Sequence, residues 1–200
     1  IKIIHPEYSN QPEFVRSFEV EAQLIARLEH IHIVPLYDYL RDPEGAYLVM
    51  RWLNGGSVRD SLRRGPWSLG MVIGLLDQLA PALHAAHRYG IVHRDIKPEN
   101  ILIDSNNNFF LTDFGIAIDT INQSTDTLKN ITLGSPAYIS PEQLRNHEIS
   151  TMADIYGLGI LIYELLTGTL PFAKSTMTEV LKSHVYSPVP SVMMACPDLP

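Results

Sequence analysis

The sequence predicts an α+β chain built as two unequal lobes, a small strand-rich one followed by a larger and mainly helical one. Three observations carry this. Within the first fifty residues, β-branched and apolar runs at 1–4, 33–40 and 46–50 surround a single helical stretch. Asn54-Gly55-Gly56-Ser57 then breaks the chain and marks a lobe boundary. Beyond it the apolar periodicity is mostly helical, with one short hairpin between two groups of helices. The expected division is 1–53 and 54–200.

The first run, Ile1-Lys2-Ile3-Ile4, is a strand that ends before His5-Pro6, with Lys2 in its middle. On local sequence alone Lys2 is a solvent-facing strand residue. A helix is expected over 12–29, where Phe14, Phe18, Ile25 and Leu28 mark one face at i, i+4, i+11 and i+14. Glu21 falls at i+7 on that same stripe. A carboxylate there either snorkels out or needs a cation, and Lys2 is the natural candidate.

Two strands over 33–40 and 46–50 are joined by Arg41-Asp42-Pro43-Glu44-Gly45, a turn by its Pro and Gly. Past the break, Ser57 caps a short helix and Ser68 caps a longer one. The stripe Leu69, Val72, Ile73, Leu76, Leu79, Leu83, Ala86 runs along the second, which Pro81 should kink and Gly90 ends. Residues 101–103 and 109–111 flank Asp104-Ser105-Asn106-Asn107-Asn108, a β-hairpin with turn formers at its tip. The stretch 116–130 has little periodicity and should be a mobile loop. Ser140-Pro141-Glu142 starts a short helix. The run 155–166 is apolar nearly all round and marks a central buried helix, which Gly168 stops. Thr176 and Glu179 form a capping box for a last helix, and the Pro-rich tail after Ser187 should be irregular.

The most informative stretch is 91–102, IVHRDIKPENIL. Between two apolar segments it packs His, Arg, Asp, Lys, Glu and Asn into eight positions. Buried polar groups need partners, so packing is a poor reason for such a run. Thr112-Asp113-Phe114-Gly115 follows at the end of a second apolar run. An Asp, an Asn five residues on and another Asp on a neighbouring turn can hold a divalent metal and supply a base.

The bulk numbers narrow the function classes. A 46% hydrophobic, 18% charged chain is ordinary for a globular protein. The net charge of −7 argues against nucleic acid or an anionic membrane surface as the main partner. One cysteine, Cys196, excludes an internal disulfide and fits a reducing, cytoplasmic compartment. No apolar run is expected to span a bilayer, and no signal peptide is visible. The chain opens without Met inside a strand-like run and so reads as a fragment.

Taken together, His93-Arg94-Asp95, Asn100, Asp113-Phe114-Gly115, Ser140-Pro141-Glu142 and Asp154 occur in one order and spacing that resembles the eukaryotic-type serine/threonine protein kinases. HRDIKPENIL and GSPAYISPEQL are similar to the bacterial members. The resemblance runs from residue 1 to about residue 172. It implies a two-lobed protein-kinase-like α+β fold, with a partial β-rich N-lobe and a mainly helical C-lobe. It also implies transfer of the γ-phosphate of ATP to a protein Ser/Thr hydroxyl, with Mg²⁺ as cofactor.

The roles follow residue by residue from that resemblance. Asp95 would accept or orient the substrate hydroxyl, and Lys97 would reach the transferring phosphate. Asn100 and Asp113 would ligate Mg²⁺. Lys2 would hold the α/β-phosphates, oriented by Glu21. Met50 is the expected gatekeeper, the Arg51 carbonyl and Leu53 backbone the hinge contacts, and Leu102 the floor under the adenine. An acidic residue is common where Arg51 stands. Ile25, Leu36, Phe114 and His93 would stack between the lobes and rest on Asp154, which makes His93 a packed support. Arg94 suggests regulation by phosphorylation of the loop, with Thr125, Thr127 and Thr132 as acceptors and Ser124 behind them. Ser135 stands where the family usually has Thr.

The resemblance also locates departures. The family's Gly-rich loop would precede Lys2, and the arginine that pairs with the position of Glu142 would follow Pro200. The 200 residues alone are therefore expected to bind ATP weakly and to be poorly stable, with Glu142 left partnerless. A homodimer for autophosphorylation and a protein substrate are the expected partners, and Glu99 and Asp60 point weakly to basic residues near the acceptor. The alternative is a pseudokinase, a binding or scaffold module. Against it stand Lys2, Asp95, Asn100 and Asp113, since pseudokinases generally lack one of them. A small-molecule phosphotransferase is disfavoured by 135–142, which resembles a peptide-docking segment.

Overall fold

A computed structural model describes residues 1–114, 136–145, 147–197 and 199. The first part is a three-stranded antiparallel sheet, in the order β1-β3-β2, with β1 at Lys2–Ile4, β2 at Leu36–Asp42 and β3 at Gly45–Met50. Between β1 and β2 lie a short α1, Pro6–Ser9, and α2, Pro12–Ala26. Lys2 pairs with Leu48 and Ile4 with Ala46, so β1 is pinned along the middle strand. The 3.6-residue stripe of α2 works as expected. Phe14 and Phe18 stack at 5.1 Å and are buried with Ala22, Leu36, Ala46 and Leu48. Ile25 on the same helix packs against both this cluster and the larger one below.

The larger part is helical. Ser57 caps α3, Val58–Leu62, in a full capping box with Asp60. Ser68 caps α4, Leu69–Arg88, a 20-residue helix. That helix is long and apolar enough to cross a membrane by length and composition alone, which the expectation of no such run missed. Its buried residues, Val72, Leu75, Leu79, Ala82, Leu83 and Ala86, all join the main core, as a central helix of a packed domain does. The expected stripe is also rotated slightly: Leu69 and Ile73 are exposed, whereas Leu75 and Ala82 are buried.

A 3₁₀ turn, Pro98–Asn100, leads into β4, Ile101–Ile103, which pairs with β5, Phe109–Leu111. Both outer edges of this hairpin are covered. Val34 and His32 hydrogen-bond to Leu111 on one side, and Gly55 and Gly56 to Ile103 on the other. Gly55 is required there, because a Cβ would lie 2.6 Å from the Ile103 carbonyl oxygen. The hairpin is thus a strap between the two parts of the chain.

Helices α5 (Pro141–Leu144), α6 (Met152–Thr167) and α7 (Met177–Tyr186) follow. Ser140 caps α5 and Thr176 caps α7, both in capping boxes, and Gly168 ends α6 in the left-handed conformation. Helix α6 runs through the core: Leu158, Leu161, Leu165 and Leu166 are buried with the α4 residues. The tail differs from expectation in one respect. Val192–Ala195 forms a short helix, α8, whose Val192 packs on the main core.

Candidate active site

The polar stretch beginning at His93 is an irregular loop held from below by α6. Asp154, fully buried, accepts hydrogen bonds from the backbone N–H groups of His93 (2.9 Å) and Arg94 (2.8 Å) and from His87 Nε2 (2.7 Å). This anchoring lets Arg94 sit at φ 66°, a left-handed backbone that a non-glycine residue adopts only when its surroundings fix it. His93 is a support. Its Nδ1 faces the Asp95 N–H at 3.3 Å and so must accept, which assigns Nε2 as the donor to the Thr112 carbonyl at 2.9 Å. The His93 ring also packs on Phe114, 4.6 Å between centroids.

Thr112 joins the second half of the site to the first. Its N–H donates to the Asn100 carbonyl (3.0 Å) and its carbonyl accepts from His93, so the peptide before Asp113 is clamped from both sides. Asp113 itself has φ 60°. Within the loop, Asn100 Nδ2 donates to the Asp95 backbone oxygen and to its Oδ2, both at 2.8 Å, and Lys97 Nζ lies 2.6 Å from that same Oδ2. One oxygen of Asp95 therefore takes an amide and an ammonium, a geometry that fixes the carboxylate's orientation.

Lys2 reaches the site from β1. Its Nζ lies 2.8 Å from Asp113 Oδ1. The sequence suggested Glu21 as its partner; here Lys2 is engaged by Asp113, and the charge of Glu21 acts on Arg94 instead. Burial lowers the Arg94 pKa below its ordinary value, and Glu21 and Asp154 oppose that shift. The difference is one of reach: Lys2, at the start of β1, meets Asp113 just past the end of β5, whereas Glu21 on α2 acts on Arg94.

Met50, Leu53 and Leu102 come together with Val34 and Phe110 in one small apolar cluster. The Arg51 N–H is bonded to the Pro35 carbonyl at 3.2 Å, and its guanidinium stands 5.3 Å over the Phe110 ring. Phe114 and Ile25 share the main core, with Leu36 in the sheet cluster that Ile25 also touches. Glu142 makes no ion pair among the described residues; with burial, its charge pushes the Tyr156 hydroxyl up to about 12. Gly115, Ser124, Thr125, Thr127, Thr132 and Ser135 lie outside the described residues.

The donor set suits a hard cation. Asp113 offers carboxylate oxygens, and Asn100, whose Nδ2 is spent on Asp95, offers its amide oxygen. No sulfur or imidazole competes at these two positions. Among the described residues no cluster of three or more His, Cys, Asp or Glu forms a metal cage. Mg²⁺ does not need one, because it keeps waters and binds phosphate oxygens alongside one or two protein ligands.

Sequence reasoning missed a second polar centre beside this one. Arg59 on α3 donates from Nε to Glu99 Oε1 (2.7 Å), from Nη1 to Glu164 Oε1 (2.7 Å) and from Nη2 to the Tyr138 hydroxyl (2.6 Å). Tyr138 in turn donates to Glu164 Oε2. Burial works against the Arg59 charge, but the hydrogen bonds to Glu164 and Glu99 outweigh it and raise the guanidinium pKa. Burial and Glu164 together raise Tyr138. A signal was present: Glu164 stands in an otherwise apolar run, the same anomaly that singled out Glu21.

Comparison with known proteins agrees with this architecture. The model of the protein kinase domain family matches residues 1–195. The chain is 39% identical over 201 residues to the serine/threonine-protein kinase PrkC of Bacillus subtilis, covering 100% of this chain and 31% of that protein. It is 37% identical over 191 residues to PknL of Mycobacterium tuberculosis (95% and 48%), and 38% identical over 206 residues to PknA of the same species (100% and 47%). The chain thus spans less than half the length of these serine/threonine-protein kinases. A clamped Asp–Lys–Asn loop strapped under a small antiparallel sheet is what the family match leads one to expect, and the chain belongs to the protein kinase family, with its two-lobed α+β fold.

Proposed function

We propose that this chain is the catalytic part of a serine/threonine protein kinase that transfers the γ-phosphoryl group of ATP to a protein hydroxyl. The observation that carries the reading is the Asp95 carboxylate, held at one oxygen by Lys97 and Asn100. The other oxygen would then orient the incoming hydroxyl and take its proton, and the Lys97 ammonium would supply positive charge to the transferring phosphoryl. Lys2, on the opposite wall, binds phosphate oxygens, and Met50, Leu53 and Leu102 supply the apolar contact for the base. Asp113 and Asn100 would hold Mg²⁺, which supplies charge neutralisation on the phosphates. Residues 1–53 and 54–200 act as the two lobes, and catalysis is positioning and electrostatics rather than covalent chemistry.

Regulation fits the same reading. Arg94, with Glu21 nearby, is the group that a phosphate on Thr125, Thr127 or Thr132 would draw, and a second copy of the protein would be the first substrate. The reading assigns the domain to the cytoplasm, where ATP is supplied. A scaffold without chemistry is the second reading, and the Lys2–Asp113 pair is the observation in its favour, since it ties up a phosphate-binding lysine and a metal ligand together. Asp95→Asn in the full-length protein separates the two. Phosphotransfer from γ-labelled ATP should fall by about 10²–10⁴-fold with nucleotide binding retained. Phosphotransfer undiminished in Asp95→Asn would overturn the assignment of Asp95, and no transfer by the unmodified protein despite ATP binding would establish the scaffold.

A further inference from the structure

We propose that Arg59 is a specificity-determining residue: its own guanidinium fills, in cis, the acidic cleft of Glu99, Glu164 and Tyr138 beside the catalytic loop and so keeps basic side chains of a protein substrate out of it. This rests on the kinase reading for what the substrate is, but the cleft and its occupant are properties of the fold.

The location matters first. Glu99 belongs to the same loop as Asp95 and immediately precedes Asn100. Four residues of chain span at most about 14 Å, so a polypeptide whose hydroxyl reaches Asp95 passes within a few residues of Glu99. Tyr138 lies two residues before the Ser140 cap of α5, and Gln143 of that helix donates to the Arg94 carbonyl at 3.0 Å. The cleft therefore has the catalytic loop on one wall and the segment leading into α5 on the other.

The occupant matters next. All three guanidinium nitrogens of Arg59 are bonded, to partners on three elements other than its own helix. Glu164 is 5% exposed, whereas the Glu99 side chain is 43% exposed, so the cleft is deep at one carboxylate and open to solvent at the other. Two carboxylates and a phenol arranged around a planar fork are what recognises a guanidinium, and an ammonium would satisfy fewer of them. Asp60, the residue after Arg59, is engaged too. Asp60 bonds Arg63 at 3.0 Å through Oδ1 and the Ser57 hydroxyl at 2.7 Å through Oδ2. The basic-substrate preference that Glu99 and Asp60 suggested from sequence is thereby cancelled from within.

The test compares full-length wild-type kinase with Arg59→Ala on paired peptides that differ only by an arginine moved through the positions flanking one Ser/Thr acceptor. Reading the ratio of kcat/KM, arginine peptide over neutral peptide, within each enzyme cancels any general loss of activity. The wild type should give ratios near one. Arg59→Ala should raise the ratio at least tenfold at one position, chiefly through KM, and adding Glu99→Gln should abolish the gain. Equal ratios in both enzymes, or a wild type that already prefers arginine, would overturn the proposal. Methylguanidine provides a readout that needs no phosphotransfer: at millimolar concentration it should raise the Tm of Arg59→Ala and leave the wild type unchanged, and no rise in the variant counts against the cleft. If neither enzyme phosphorylates any peptide while methylguanidine still stabilises the variant, the kinase reading fails and the cleft stands. Arg59→Gln, which keeps the length of the stem, takes the place of Arg59→Ala in both measurements if the alanine variant does not fold.

Discussion

Helix α6 buries two carboxylates ten residues apart, Asp154 and Glu164, and the protein accommodates them in opposite ways. Asp154 is bound mainly by the loop's own backbone: the N–H groups of His93 and Arg94 and the His87 ring converge on it. Glu164 is neutralised by side chains alone, a guanidinium from α3 and a phenol from the segment before α5. Asp154 holds the start of the polar loop at His93 and Arg94; Glu164 holds its end, through Arg59, at Glu99. The same helix thus fastens both ends of one loop. The backbone-bound end fixes conformation, and the side-chain-bound end is where side chains can be exchanged.

The largest effect should come from breaking the first centre. Asp154→Ala leaves two buried N–H groups and a histidine without their acceptor and removes what holds Arg94 at positive φ, so about 3–5 kcal/mol of stability should be lost. Urea unfolding at constant m reads this as a lower midpoint. The distinctive expectation is that no second side-chain change restores it, because two of the three partners are backbone N–H groups. The second centre should behave otherwise. Arg59→Ala should cost about 3 kcal/mol by leaving Glu164 buried and unpaired, whereas Arg59→Met with Glu164→Leu should return to within about 1 kcal/mol of the wild type. A double variant as unstable as the single one would mean that the two carboxylates are not handled differently after all.

This contrast also explains what could be read from the sequence. Asp154 was legible only through the family resemblance, which sets it under His93, since its partners lie 60, 61 and 67 positions away. The helices, their Ser and Thr caps and the 101–111 hairpin were legible because short-range hydrogen bonds and apolar periodicity determine them. Glu164 was not, because the run 155–166 read as apolar nearly all round and its one charge went unremarked. Its partner Arg59 lies 105 positions away, and nothing local distinguishes Arg59 from its neighbours Arg63 and Arg64. The Lys2–Asp113 pair was not legible for the same reason: the sequence offered Glu21 alone as the partner of Lys2, and Asp113 lies 111 positions away.

The smallest expected effect concerns a neutral contact on the same helix, and it separates acid sensitivity from both carboxylates. Tyr156, between Asp154 and Glu164 on α6, shares a 2.7 Å hydrogen bond with His184 Nδ1 on α7. His184 is 5% exposed and packs edge-on against Phe172 at 4.9 Å. Burial drives its pKa down to about 4, with the nearby Ala137 backbone opposing. The folded state therefore prefers neutral imidazole, while the unfolded chain takes up a proton near the ordinary histidine value of about 6.5. Stability from this group is present above that value and declines as the pH falls toward the folded pKa. Between pH 7 and pH 5.5 the loss should be about 1 kcal/mol, read from the urea midpoint at each pH. His184→Gln, which cannot titrate, should flatten that slope. A slope that survives in His184→Gln would move the acid sensitivity to the carboxylate centres, and the side-chain-bound one, open to solvent at Glu99, would be the first to examine by repeating the titration in the Arg59→Met, Glu164→Leu pair.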